Sequence, residues 1–323
     1  MVTPVPFSQN SRYTQIAMAV KPEGMIADLV CPRIAVESDK FIYTRLDHAD
    51  LFSIPDASVG RKSEPTQVEF GSTDVTDSIN DYGLDDFVPN RDIKAAASSG
   101  GNFDPLATAV EGTSILLSLA REKRVADLYF NLASYDASLR TTLSGTSQWS
   151  DYTNSTPISA IIAQLDAMLV RPNMAVFGRA TWRYLRSHPE TVAMALNKGG
   201  TIAGGTAAKG ILTIQQVAEL LELDNIYVGE SFFNAAKKGQ TAAYDRLWGK
   251  HASFLRIDRN VRSVRGMAMP TFAFTAQWGN IFSGTIPEAK VGLDGGQIVR
   301  VGEYVKELIS FSEAGCHFHN AVA

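Results

Sequence analysis

The sequence predicts an α+β fold into which a smaller α/β domain is inserted, and three observations carry that reading. A long acidic stretch, from Ser53 to Ile93, alternates like a sheet yet holds little that could bury a core. A helical pattern near residues 103–134 runs far beyond the usual 11–12 residues. From about residue 150 helices alternate with short apolar strands, and strands return at the end of the chain. With 323 residues, 45% hydrophobic and 20% charged, the composition is globular, with room for one large domain or two ordinary ones. A net charge of −4 argues against a surface built to grip duplex nucleic acid. No run of about 20 apolar residues predicts a membrane span, and the first 30 residues show no signal-peptide pattern.

Residues 1–35 read as an arm. Pro4, Pro6, Pro22 and Pro32 interrupt any long element, and "SRYTQIAMAV" suits a short helix or an extended segment too apolar to hang free. Residues 36–92 read as an extended two-stranded loop with limbs "VESDKFIYTRLDHADLF" and "PTQVEFGSTDVTDSINDYGL". Each limb of about fifteen residues would reach roughly 50 Å. "PDASVGRKSEP", bounded by prolines and centred on Gly60, is the expected tip. A lone two-stranded ribbon is marginal in water, so it must lean on another surface, in this chain or a neighbour.

"FDPLATAVEGTSILLSLAREKRVADLYFNLAS" predicts the longest helix, with Asp104 as N-cap, Pro105 at the first position and Leu106, Val110, Leu117, Leu128 and Leu132 near one stripe. Beyond it, "TPISAIIAQLDAMLV", "RATWRYLRSHP", "ETVAMALNKGG" and "TIQQVAELLEL" read as helices, the last opened by a Thr213–Gln216 capping box. "NMAVFG", "NIYVGES", "HASFLRID" and "TFAFTAQW" read as strands, and "TIAGGTAAKG" as a loop. The expected organisation is arm 1–35, extended loop 36–92, a first domain from 93–150 and 286–323, and an inserted domain 151–285.

No catalytic constellation emerges. "GGTAAKG" has its glycines and lysine in the wrong order for a phosphate loop, and "GESFF" fails as a nucleophile elbow. His317 and His319 would share a strand face, but no third metal ligand is apparent, so neither metal nor cofactor is expected. Cys31 and Cys316 lie far apart without metal spacing and read as two reduced thiols. The ribbon's Asp74, Asp77, Asp81, Asp85 and Asp86 match no EF-hand loop and read as a charged edge, solvated or facing an interface. Arg246, Lys250, Arg256, Arg259, Arg262 and Arg265 concentrate basic charge; they face either nucleic acid or carboxylates of a neighbouring subunit. The opposite signs of ribbon and basic stretch suit directed self-association. The candidate intersubunit contacts are Asp56, Arg61, Lys62, Asp74, Asp77, Asp85, Asp86, Arg256, Arg259 and Arg262. The candidate hinges are Gly60, Gly71, Gly83, Gly100 and Gly101.

In this layout, and most in "YGLDDFVPNRDI" followed by the long helix with its Arg121, Glu122, Arg124, Val125, Ala126 run, the chain resembles the major capsid proteins of tailed bacteriophages. The resemblance implies a phage-capsid fold: an N-terminal arm, an extended loop lying across a neighbour, a spine helix in a peripheral domain, and an inserted axial domain. It implies a structural protein rather than an enzyme, assembled in the host cytoplasm as pentamers and hexamers of an icosahedral head around double-stranded DNA. A separate scaffolding protein, a portal and a decoration protein are the further partners implied. Some members of the family crosslink through a loop lysine; Lys62 sits at the tip, without an established partner. An encapsulin-type compartment shares the architecture and stands as the alternative. An α/β enzyme with an unfamiliar site and a tail or decoration protein are the remaining readings.

Overall fold

The computed structural model describes residues 8–20, 22–46, 53–68, 71–100, 103–196, 210–259 and 271–323. Two sheets carry the fold. The first is built on the fourteen-residue strand β14 (Gly296–Ile309). On one side β14 pairs antiparallel with β13 (Phe282–Glu288) and then with β12 (Ala273–Trp278); on the other it pairs along ten residues with β5 (Asn80–Pro89). The arm closes both ends of this sheet: β1 (Ser8–Gln9) adds to β13, and β2 (Arg33–Val36) adds in parallel to β12. Between them lies a helix, Ser11–Ala19, capped by the Asn10 side chain on the Arg12 N–H.

The longest helix spans Pro105–Tyr129, about 37 Å at 1.5 Å per residue. The Asp104 carboxylate accepts from the Leu106 and Ala107 N–H groups and Pro105 sits at the first position, as the sequence predicts. The helix ends at Tyr129, so Leu132 falls in a separate short turn. Its buried face runs Ala109, Val110, Thr113, Ser114, Leu117, Arg121, Glu122, Val125, Ala126 and Tyr129. Tyr13 and Ala17 of the arm pack on Val110 and Leu117, with Val299 and Val301 of β14 beneath.

The second sheet has the order β6 (Arg140–Thr142), β15 (Gly315–His319), β11 (Ala252–Leu255), β7 (Met174–Gly178), β8 (Asn225–Gly229). Every residue of β7 and β11 is buried, because helices cover the strands. Ile158, Ile161 and Leu165 of the helix Pro157–Asp166, Trp182 and Leu185 of Arg179–Leu185, and Val217 and Leu221 of Ile214–Leu221 form that cover, with Phe177, Phe254 and Phe318 below. The capping box at Thr213 and Gln216 forms as predicted. Thr156 does not cap its helix through its side chain; the Glu190 carboxylate accepts the Ile158 and Ser159 N–H groups instead. Pro189 opens the next helix, Pro189–Leu196. The loop at "TIAGGTAAK" lies outside the described residues.

Two expected boundaries shift. Residues 271–285, read with the inserted domain, supply β12 and most of β13 in the first sheet. The C-terminal strand β15, read with the first domain, belongs to the second sheet beside β6 and β11. Trp149, Ala321 and Val322 enter the same core.

Candidate assembly surfaces

The ribbon pairs β3 (Lys40–Leu46) with β4 (Ser72–Ser78), Lys40 opposite Ser78 and Leu46 opposite Ser72. Its base has a core of its own, contrary to the sequence expectation. Phe41, Tyr43 and Ile79 are buried against Ile34, Val36, Phe274 and Leu308, with the Tyr43 ring edge-on to Phe274 at 6.1 Å. The second limb is also shorter than read. From Asn80 onward it is β5, an integral strand of the first sheet. Beyond the base nothing in the described chain covers the ribbon: every residue from Ser53 to Val68 is exposed, Ile54 at 97%. Asp56, Arg61 and Lys62 stand in this tip. Asp56 accepts from the Ser58 N–H, and a turn closes from the Ser63 N–H to the Gly60 carbonyl.

The structure spreads the other candidate contacts. Asp74 accepts from Thr44 across the ribbon. Asp77 pairs with Lys306 at 3.7 Å, fixing the base to β14. Asp85 takes both its oxygens to Arg300 across β5 and β14, at 2.7 and 2.6 Å. Asp86 is exposed on the same strand. Arg256 is half-buried at the end of β11, and its N–H donates to the Ala314 carbonyl. Arg259 donates to the Leu29 carbonyl at 2.7 Å and reaches the Tyr227 hydroxyl at 2.5 Å, tying the arm to the second sheet of its own chain. Arg262, with Arg265, lies outside the described residues, as does Gly101. Gly83 pairs with Gly302 inside the β5–β14 ladder, where an added Cβ would make only an ordinary contact, 3.4 Å from the Val301 carbonyl. Gly71 is exposed at the start of the second limb. Gly100 has φ +98, a backbone that side chains resist, and leads into the long helix.

The arm is held by the Arg121–Arg124 run. Glu122, fully buried, accepts from the Ile26 N–H at 2.9 Å, the Ala27 N–H at 2.7 Å and the Trp248 indole N–H at 2.6 Å. It thereby joins the arm, the long helix and the turn that carries Trp248 through one carboxylate. Arg121, 2% exposed, pairs with Asp28 and donates to the Cys31 carbonyl and the Thr275 hydroxyl. Arg124 forks onto Glu307, approaches Glu303 and lies 3.6 Å over the Tyr82 ring of β5. Arg33 completes the network with Glu303 and Asp28. Opposite charges beside Asp28 outweigh its desolvation and hold its carboxyl below the usual range. Three arginines and three carboxylates thus pair in one network that is buried at Arg121, Glu303 and Glu307 and open to solvent at Asp28, so removing a partner at its buried end strands another. The sequence marks this run as a likeness but does not reveal its partners, which come from residues 26–33 and 303–307 and from Tyr82, Trp248 and Thr275.

Cys31 and Cys316 are both free and buried, in different clusters. The register of β11 on β15 also sets His251 beside His319, rings stacked at 4.2 Å, so a third histidine does join His317 and His319.

An extended ribbon, a clasped arm and a long helix beneath them are features of shell subunits, and comparison with known proteins decides the family. Over 318 residues, 98% of both chains, the sequence is 45% identical to the major capsid protein of Pseudomonas phage JBD67. The chain belongs to the phage major capsid proteins. No family model matches it. Among solved structures, a phage-related protein from Bordetella bronchiseptica RB50 superposes with a TM-score of 0.72 over 98% of both chains at 18% identity. The capsid of cyanophage P-SCSP1u superposes at 0.52, covering 99% of this chain and 90% of that one, at 9% identity. An encapsulin of Synechococcus elongatus PCC 7942 also gives 0.52, over 97% and 95%, at 10% identity. The fold is therefore that of tailed-phage capsids, which encapsulins share. The subunit forms a capsid shell from identical copies, and its place is the virion.

Proposed function

We propose that the ribbon tip, residues 53–68, is the element through which each subunit grasps its neighbour, and that the arrangement is pentamers and hexamers of an icosahedral head around double-stranded DNA. The observation that carries this is the contrast along one hairpin: a base buried on its own chain and a tip with every residue exposed. A rigid base aims the tip, and an exposed Ile54 and Val59 beside Arg61, Lys62 and Glu64 supply apolar and charged contacts for another copy. Many such modest contacts add up through the closed lattice. The basic concentration is read as structural in part, because Arg259 is spent on the arm; Arg256 and Arg262 remain candidates for neighbour or packaged DNA. Assembly in the host cytoplasm, a separate scaffolding protein, a portal and a decoration protein complete the reading, and the role is structural rather than catalytic. The 45% identity to a phage protein favours DNA over an encapsulin's protein cargo.

Replacing residues 56–66 by a short glycine–serine linker tests it. The variant should melt like the parent, because those residues touch no core, yet give no closed shells in negative-stain images. Normal shells from that variant would overturn the reading.

A further inference from the structure

We propose that His251, His317 and His319 form a binding site for a first-row transition-metal dication, zinc first among them. Each ring offers one nitrogen, and the three nitrogens lie within 4.8 Å of one another. The His317 Nε2 and His319 Nδ1 atoms are 3.4 Å apart. Two nitrogens bound to a tetrahedral zinc at about 2.0–2.1 Å stand roughly 3.3–3.4 Å apart, so this pair is already spaced for a shared metal.

The surroundings fix the tautomer of His317. The Ser253 hydroxyl lies 3.2 Å from the Tyr129 carbonyl, which can only accept, so the hydroxyl proton goes there. The same oxygen then accepts from His317 Nδ1–H at 2.9 Å, leaving the Nε2 lone pair turned into the cluster. That is the outer-shell hydrogen bond a ligating histidine needs. Tyr135 stacks on His317 at 5.0 Å and Phe130 packs at 5.8 Å, keeping its inner side dry. A hollow of about 400 Å³ bordered by Asp127, Phe130, Asn131, His251 and His319 gives an ion a way in. Burial holds all three rings below the ordinary histidine range, His251 at about 4 and His317 at about 3, so they are the neutral, ligating form at neutral pH.

His251 is the ligand that must adjust. Its Nδ1 accepts from the Asn320 N–H at 3.0 Å, which places its proton on Nε2. To ligate through Nε2 it releases that proton and takes one up at Nδ1, and the Asn320 bond breaks. His319 likewise moves its proton from Nδ1 to Nε2. Both changes are tautomer exchanges without net proton release.

The test uses untagged, chelator-treated, full-length protein, with cobalt(II) as the optical probe and zinc for hydrogen exchange. Wild type should bind one ion per chain with the intense visible bands of tetrahedral cobalt, and His319→Gln should lose them. Ser253→Ala should weaken binding about 10–100-fold by freeing the His317 ring. His188→Gln, whose ring lies outside the cluster, should bind as wild type does. Zinc should speed hydrogen exchange at the Asn320 amide, a readout that needs no variant and stands even if His319→Gln fails to fold. Absence of tetrahedral cobalt bands in the wild type, unchanged binding in a folded His319→Gln, or an Asn320 amide indifferent to zinc would each overturn the proposal.

Discussion

Replacing Glu122 by glutamine changes one atom and should unclasp the arm. The carboxylate is completely buried and accepts three strong hydrogen bonds, from Ile26, Ala27 and Trp248. Glutamine keeps the shape but exchanges one acceptor for a donor. Its remaining oxygen can stay on the Ile26 and Trp248 N–H groups, each falling from a charge-assisted to a neutral bond, about 1 kcal/mol apiece. Its NH₂ then confronts the Ala27 N–H, and that clash of donors costs about 1–3 kcal/mol. The loss is about 3–5 kcal/mol, comparable with breaking a buried charged contact. Guanidinium unfolding of the unassembled subunit measures it, and hydrogen exchange of residues 22–31 localises it. The control is Glu111→Gln, on the exposed face of the same helix, expected within about 0.5 kcal/mol of wild type. If Glu122→Gln unfolds at the wild-type midpoint with residues 22–31 still protected, the clasp has been misread.

Gly229→Ala would put a Cβ 2.0 Å from the buried Trp248 ring and should cost about 3 kcal/mol in the same unfolding assay. Asp104→Ala removes the cap of the long helix and should cost about 1 kcal/mol, while Asp104→Asn should restore most of it. His188 is 1% exposed, and desolvation lowers its pKa despite the nearby Glu190. Its neutral form is the folded one, so its contribution is complete above pH 6.5 and is lost as pH falls below it, when the unfolded chain takes up the proton. His188 contributes at most about 1.4 kcal/mol per pH unit to a slope that His251, His317 and His319 share, so His188→Gln should reduce it without abolishing it in melts taken from pH 7 to 5. Burial raises the thiol pKa of both cysteines. A thiol reagent should therefore label neither Cys31 nor Cys316 until denaturant is added.

Local signals in the sequence were sufficient where local physics decides the outcome. Asp104 followed by Pro105, the Thr213–Gln216 box and the all-apolar "MAVFG" each name an element that forms where expected. The ribbon was legible as a hairpin, but its base was not. Phe41 and Tyr43 find their partners at Phe274 and Leu308, more than 200 residues away, and no periodicity reports such a distance. The same holds for the assignment of "SINDYGLDDF" to a loop limb. Its acidic surface hides the ten-residue ladder to β14, whose stability comes from backbone pairing rather than from side-chain burial. The site residues divide along the same line. Arg61 and Lys62 stand in an exposed tip as a loop reading implies, whereas Asp85 and Arg259 are engaged by Arg300, Leu29 and Tyr227 of their own chain. No sequence spacing marks His251 as a companion of His317 and His319, because strand pairing brings it there.

The placement of β15 has a bearing on cooperativity. Residues 315–319 lie between β6 and β11, and the Leu143 and Trp149 N–H groups donate to the His319 and Ala321 carbonyls. Among the described strands β6 pairs with β15 alone, so the stretch 140–149 takes its backbone partners from a segment remote in sequence. Loosening either segment therefore frees the other, and the two open as one unit.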